Sequence, residues 1–281
     1  MIVRDFKTIF FEALSDTYPK EEIGSFFDLL IAHQLKMGRV DLALQPGIRF
    51  DDQALAFFKQ ALCRLQKEEP IQYIIGTTEF YGLVFAVNPQ VLIPRPETEA
   101  LVDWIIHSSW KKSPTILDIG TGSGCIAVSL AKNIPQANVY ALDISAGALK
   151  TAANNASTNQ VKVHFLERDL LSCNDLPKRF DIIVSNPPYV RQLEKKQMQQ
   201  NVLAYEPASA LYVPDKNPLL FYRKISELAT KHLDKEGSLF LEINQYLGKE
   251  TCELLTSVGF ANIELKKDLY KADRMVKAQF K

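Results

Sequence analysis

A chain of 281 residues, 47 % of them apolar, is long enough for an α/β domain plus a second small one, and too apolar for global disorder. Lysine plus arginine and aspartate plus glutamate both number 33, and a net charge near zero argues against a protein built to grip a nucleic-acid backbone. No apolar run reaches membrane-spanning length and Met1-Ile2-Val3-Arg4-Asp5 lacks a signal-peptide layout, while Cys63, Cys125, Cys173, Cys252 and His33, His107, His164, His232 are scattered; the expectation is a cytoplasmic protein with reduced, mostly buried thiols, no metal site and no membrane partner.

Residues 1–76 read as a small helical bundle. Phe6, Ile9, Phe10, Ala13 and Leu14 fall at helical spacing, and Tyr18-Pro19 breaks the pattern. Ile23, Phe26, Phe27, Leu30 and Ile31 repeat it over Glu21 to Lys36, with Gly38 as the stop. Asp51 or Asp52 is placed to cap a third helix through Ala54, Leu55, Phe58, Leu62 and Leu65. Residues 77–94 change period and read as a β-hairpin linker: Thr78 to Val87, then Gln90 to Ile93, as two short strands with turns at Gly82 and Asn88-Pro89. In Ile93-Pro94-Arg95-Pro96-Glu97-Thr98-Glu99 two prolines fix the backbone around Arg95, and a helix starts near Glu97. This stretch is either a rigid corner between domains or a wall that presents Arg95 to a bound molecule.

From residue 115 strands and helices alternate, as in a doubly wound parallel sheet. Thr115 to Ile119 is its first strand and runs into Gly120-Thr121-Gly122-Ser123-Gly124, then a helix from Cys125. Closely spaced glycines at this position let a ligand approach the backbone with no Cβ in the way, although the spacing is not the G-x-G-x-x-G of dinucleotide binding. Val139 to Asp143 is the second strand. An acid at its tip suits the two hydroxyls of a ribose, and Asp143 could instead cap the helix over 146–156. After the third strand, Val161 to Glu167, Asp169 is placed to accept from an adenine amine and Leu170 to pack on the ring.

The fourth strand, Phe180 to Ser185, stops at Asn186-Pro187-Pro188-Tyr189. Asn186 then sits at the carboxyl end of a strand, where open α/β sheets bind ligands. Its side-chain oxygen and a backbone carbonyl of the Pro187 turn form a pair of acceptors for one planar NH2 group, with Tyr189 packed over the plane. That arrangement suits methylation of a poorly nucleophilic amide or aromatic amine nitrogen. Residues 191–206 are polar and read as a surface or mobile segment able to gate the site, ended by Glu206-Pro207. A helix over about 218–233, a fifth strand Gly237 to Ile243, another helix, and two strands near 261–266 and 274–280 complete the chain.

Asp118-Ile119-Gly120-Thr121-Gly122-Ser123-Gly124, Asp143 and Asn186-Pro187-Pro188-Tyr189 resemble the class I S-adenosylmethionine-dependent amino-methyltransferases. Glu79-Phe80-Tyr81-Gly82, Leu92-Ile93-Pro94-Arg95-Pro96-Glu97-Thr98-Glu99 and the helical N-terminus narrow the resemblance to the protein-(glutamine-N5) methyltransferases that modify peptide chain release factors. It implies a Rossmann-like methyltransferase domain over 95–281, a substrate-docking domain over 1–76, and S-adenosylmethionine as methyl donor, leaving as S-adenosylhomocysteine. Gly120, Thr121, Gly122, Ser123, Gly124, Asp143, Asp169, Leu170 and Asn186 would hold the cofactor. Asn186, Pro187, Pro188, Tyr189 and Arg95 would meet the substrate, with Asn186, Pro187 and Tyr189 catalytic. The substrate implied is the glutamine of the Gly-Gly-Gln loop of class 1 release factors, modified by a monomeric enzyme. A ribosomal-protein glutamine and a nucleic-acid adenine are the rival acceptors. Two departures stand out: Leu170 where some relatives have an aromatic residue, and Glu242-Ile243-Asn244 where an acid-hydrophobe-glycine pattern is usual.

Overall fold

The computed structural model describes the backbone of all 281 residues and every side chain except that of Gln197. The chain divides into two compact units, one of residues 1–76 with 199–205, the other of 77–198 with 206–281.

The first unit begins with α1 (Val3–Leu14), α2 (Lys20–Leu35), α3 (Arg39–Leu44), α4 (Asp52–Leu65) and α5 (Ile71–Ile75). Its core is aromatic. The Phe58 ring lies 4.5 Å from that of Phe50 and 5.8 Å from that of Phe27, and Phe6 and Phe10 join them. Burying each such ring contributes roughly 1.5–3 kcal/mol. Asp51 is the cap of α4, accepting from the Ala54 N–H at 2.7 Å. The expected stop at Gly38 falls elsewhere: α2 ends at Lys36, which takes the left-handed conformation, and Gly38 instead opens the short α3.

The second unit starts with an antiparallel hairpin, β1 (Thr77–Phe80) and β2 (Leu83–Ala86). Its turn holds Tyr81 and Gly82 at positive φ, as tight hairpins require. The expected strand at Gln90 to Ile93 does not form; these residues run as irregular backbone. The hairpin groups with the second unit. Asn155 accepts from the Ala86 N–H at 2.7 Å and donates to the Ala86 carbonyl at 3.0 Å and to the Ser123 carbonyl at 2.8 Å, tying the hairpin to the glycine loop.

The chain continues through α6 (Pro96–Ile106), β3 (Thr115–Ile119), α7 (Cys125–Asn133), β4 (Asn138–Asp143), α8 (Ala146–Thr158), β5 (Val163–Glu167) and β6 (Phe180–Ser185). A two-residue strand β7 (Val190–Arg191), a 3-10 turn, α9 (Gln200–Tyr205) and β8 (Tyr212–Val213) follow. Then come α10 (Leu220–His232), β9 (Leu233–Glu242), α11 (Gly248–Ser257), β10 (Asn262–Lys267) and β11 (Asp273–Gln279). The α9 residues cluster with the first unit. Seven strands form one sheet in the order β10-β11-β9-β6-β3-β4-β5; β9, β6, β3, β4 and β5 are parallel and the last two strands antiparallel. Side chains alternate between faces. Leu117, Ile119, Ile183 and Leu239 pack with α10 and α11, while Ile116, Ile182, Val184 and Phe240 pack with α6 and α7. Cys173 is buried, Cys125 and Cys252 are half-buried and Cys63 is exposed, so the expectation of mostly buried thiols does not hold. Among the described residues no helix is long and apolar enough to cross a membrane.

Candidate active site

The chain leaves β3 toward β4 and β5, then returns to lay β6 on the other side of β3. Such a switch point opens a crevice beyond the carboxyl ends of the strands. Here it is a cavity of about 420 Å³, within the range of roughly 300–1,000 Å³ typical of small-molecule sites. Gly120, Thr121, Gly122, Ser123, Asp143, Asp169, Leu170, Asn186, Pro187, Pro188 and Arg95 all line it. Gly124 and Tyr189 do not.

Gly120 takes φ +73° and its N–H donates to the Leu142 carbonyl at 2.7 Å, folding the loop against β4. A Cβ built on Gly120 or Gly122 meets no protein atom within 4 Å. Gly124 differs. It precedes α7 with φ +81°, and a Cβ there would lie 2.9 Å from the Ala152 Cβ and 3.2 Å from the Ala152 Cα. Its bareness serves the close approach of α7 to α8, which corrects the expectation that it lines the ligand site.

Asp143 accepts from the Gly122 N–H through Oδ2 and from the Ser145 N–H through Oδ1, both at 2.9 Å. The cap of α8 is Ser145, which accepts from the Ala148 N–H at 3.1 Å. Asp143 is thereby released from the capping role, and an ionised carboxylate with about four lone-pair positions retains acceptor capacity. Asp169 spends Oδ1 on the Leu171 N–H at 2.9 Å. Asp118 is fully buried and takes the Thr121 hydroxyl on Oδ2 at 2.6 Å; its Oδ1 has no partner among the described residues. Burial, the main cause, pushes its carboxyl up to about 7.

Asn186 is half-buried and donates from Nδ2 to the Thr98 hydroxyl oxygen at 3.2 Å. Thr98 in turn donates to Glu242 Oε2 at 2.6 Å, and the Tyr189 hydroxyl donates to Glu242 Oε1 at 3.0 Å. Glu242 ends β9 and is 1 % exposed. Burial raises its carboxyl above the ordinary range; the bonds from Thr98 and Tyr189 and the charge of Arg274 oppose the rise. Tyr189 is anchored through its hydroxyl on this carboxylate, and burial raises its phenol well above the usual value.

Arg95 reaches the cavity wall with its charge already paired, donating to Glu206 Oε1 at 2.6 Å. Glu206 also accepts from the Ile93 N–H at 3.2 Å. The segment read as polar surface is thus pinned by a buried glutamate at its end. Near its start Glu194, also buried, accepts from the Arg191 N–H at 2.7 Å and from Asn244 Nδ2 at 3.0 Å. Asn244 Nδ2 donates to the Tyr189 carbonyl at 2.9 Å as well, so the departure from glycine at this position supplies a clamp on the Pro-Pro-Tyr turn.

Sequence reasoning assigned no role to Thr98 or Glu242, and missed Asn155 and the bonding of Glu206. The one available signal was chemical: an acid at the end of a strand as apolar as Ser238 to Leu241 needs a donor to be buried.

Two family models match the chain: "Methyltransferase small domain" over residues 97–211 and "PrmC N-terminal domain" over residues 11–76. A release factor glutamine methyltransferase of Flavobacterium psychrophilum is 53 % identical, with 100 % of both chains covered. One of Bacteroides thetaiotaomicron is 42 % identical over 95 % of this chain and 96 % of its own. Among solved structures, the Thermus thermophilus 16S rRNA N2 G1207 methyltransferase, in complex with AdoMet and guanosine, superposes with TM-score 0.54 at 20 % identity, covering 73 % of this chain and 50 % of that one. A Pyrococcus furiosus methyltransferase superposes with TM-score 0.53 at 17 % identity, covering 80 % and 96 %. These two likenesses establish the class I methyltransferase fold, and with the full-length identity to its relatives the chain belongs to the release factor glutamine methyltransferases.

Proposed function

We propose that this enzyme transfers the methyl group of S-adenosylmethionine to the side-chain amide nitrogen of the glutamine in the Gly-Gly-Gln loop of class 1 peptide chain release factors. The observation that carries the reading is Asn186. It lines the cavity, one N–H of its Nδ2 goes to Thr98, and no group among the described residues bonds its Oδ1. That oxygen stands beside a turn of two prolines, which bring carbonyls and no N–H.

The residues present fit the cofactor. Gly120 and Gly122 leave open the space that a Cβ would fill, Asp143 keeps lone pairs for a ribose diol, and Asp169 and Leu170 line the same cavity, an acceptor and an apolar surface suited to an adenine. When bound, the cofactor supplies an electrophilic methyl group on a sulfonium.

The chain's own part is to make an amide nitrogen nucleophilic. Asn186 Oδ1 accepts one of the glutamine N–H bonds, and a carbonyl of the Pro187 turn accepts the other. Two acceptors in place draw the nitrogen lone pair out of amide resonance and aim it at the methyl group. The amide proton turns acidic only as the N–C bond forms, so no strong base precedes attack; it then leaves along the hydrogen bond to Asn186 Oδ1 or the turn carbonyl and passes to solvent, which restores a neutral N-methyl amide. Orientation of this kind accounts for roughly 7–11 kcal/mol in favourable reactions. The first unit, residues 1–76, is the docking domain for the release factor in this reading, and the enzyme acts as a cytoplasmic monomer with no direct nucleic-acid contact. Arg95, held by Glu206, forms the wall on the substrate side.

The test is methyl transfer from labelled S-adenosylmethionine to a purified release factor, beside a factor whose Gly-Gly-Gln glutamine is alanine. Label on the first and none on the second is expected. Label on both, or on neither with cofactor binding intact, overturns the acceptor assignment and points to a ribosomal-protein or nucleic-acid acceptor.

A further inference from the structure

We infer that Glu242, acting through Thr98, is a positioning residue that dictates which end of the Asn186 amide faces the substrate. The inference rests on the methyl-transfer reading above and names what sets its acceptor geometry.

A threonine hydroxyl has a single proton, and an ionised carboxylate can only accept. Glu242 takes that proton at 2.6 Å, so the Thr98 oxygen is left as an acceptor. Its neighbour at 3.2 Å must then be the NH2 end of Asn186. Oδ1 is therefore turned away from Thr98 and left unbonded. Asn186 alone has no such preference, because the two ends of a primary amide are nearly the same size.

The chain works in one direction only while Glu242 is charged. A protonated Glu242 must donate to one of its two neighbours. Donation to Thr98 reverses the relay: the hydroxyl then donates to Asn186, which turns its oxygen inward and presents NH2 to the substrate amide, donor against donor. The groups that bear on the Glu242 charge are Thr98 and Glu97 of α6, Cys125 of α7, Tyr189 of the turn, Tyr222 of α10 and Arg274 of β11. Thr98 and Tyr189 stabilise the charged form by donating to it, Arg274 by its positive charge, and Glu97 opposes it. Thr98 and Glu242 are 2 % and 1 % exposed, so solvent water is kept from substituting for either partner.

The decisive variants are Thr98→Val, which keeps the shape and deletes the hydroxyl, and Thr98→Ser, which restores it. In single-turnover and steady-state methylation of a release factor, Thr98→Val should lower kcat by about 10- to 100-fold, with S-adenosylhomocysteine affinity within threefold of the parent. Thr98→Ser should recover kcat to within about threefold. The parent kcat should fall on the acid side as Glu242 takes a proton, and that limb should be absent from the residual activity of Thr98→Val. A purely structural role would lower cofactor affinity and thermal stability together and leave the acid limb in place. Parent enzyme active with Thr98→Val within twofold of it refutes the positioning role alone. So does a Thr98→Val defect that Thr98→Ser does not repair. Parent enzyme that binds cofactor and labels no release factor removes the functional reading and this inference with it.

Discussion

Gly120→Ala and Gly124→Ala alter two glycines of one loop and should fail in different ways. At Gly124 the new Cβ falls 2.9 Å from the Ala152 Cβ and 3.2 Å from its Cα, at φ +81°. The left-handed conformation costs an alanine about 1–2 kcal/mol, and prising apart two packed helices adds about 1–3, a loss of roughly 2–5 kcal/mol. At roughly 2–4 °C per kcal/mol for a domain of this size, the melting temperature should drop by about 5–20 °C. Gly120 has φ +73° and nothing within 4 Å of the added atom, so only the backbone term of about 1–2 kcal/mol applies. Its methyl group would occupy space at the wall of the cavity, and S-adenosylhomocysteine should bind at least about tenfold more weakly, a loss of about 1.4 kcal/mol. Thermal melts without ligand and titration calorimetry with S-adenosylhomocysteine separate the two quantities. Gly124→Ala should melt early and, below its transition, bind within about threefold of the parent. A Gly124→Ala variant of parental stability that has lost binding would refute the reasoning and return Gly124 to the ligand site.

Asn186→Ala should lower kcat by roughly 10²–10³-fold, the scale of deleting one preorganised hydrogen-bonding group at a reacting centre, with cofactor affinity nearly unchanged; a large loss of affinity in calorimetry contradicts its role. Asp143→Asn removes a charge that accepts at both oxygens, and cofactor affinity should weaken by roughly 1.5–3 kcal/mol, about 10- to 100-fold, with kcat at saturation little altered. Asp118 binds its proton more tightly folded than unfolded, since burial lifts its carboxyl from 3.8 to about 7. Its contribution to stability is therefore complete below the unfolded value and is lost as pH rises through about 7, a change on the order of 4 kcal/mol at most. Urea unfolding at pH 5 and pH 8 should show Asp118→Asn less sensitive to this rise than the parent; equal slopes refute the assignment. Asn244→Gly frees the Tyr189 carbonyl and one bond to Glu194, and should raise KM for the protein substrate roughly threefold or more without altering cofactor affinity, read from steady-state kinetics and calorimetry.

What the sequence exposed was whatever has a short period or a short range. Period 3.6 located α1, α2 and α4, and glycines and prolines marked the loop after β3 and the stop after β6. The Asp51 cap lies three residues from its donor and was legible for that reason. Gln90 to Ile93 carries strand-like residues and forms none, because a strand needs a partner edge and no local pattern supplies one. The cap of α8, for which Asp143 was one candidate, is Ser145, two residues on, whose side chain takes the capping bond. Gly124 was assigned to the ligand by its place in a glycine pattern, whereas the atoms that require it bare belong to Ala152. Thr98 and Glu242 are separated by 144 positions, and nothing local in either stretch announces the other.

The gap between these levels closes at a single row of the sheet. Leu142, Ile119, Ser185 and Leu241 are directly paired across β4, β3, β6 and β9. The residues one step beyond that row are Asp143, Gly120, Asn186 and Glu242, which carry the proposed ribose contact, the glycine turn, the proposed amide acceptor and the charge proposed to orient it. Ser185 helps hold the row, its hydroxyl donating to the Ile119 carbonyl at 2.6 Å. A slip of β6 by one residue would turn every one of its side chains to the opposite face and carry Asn186 out of line with Gly120 and Glu242. The pairing of β6 therefore does more than bury Ile182, Ile183 and Val184 on the two faces of the sheet. By fixing register against β3 and β9 it sets where Asn186 stands relative to the glycine loop. The site thus takes its geometry from strand pairing in the core, while the loops beyond the row supply the chemical groups.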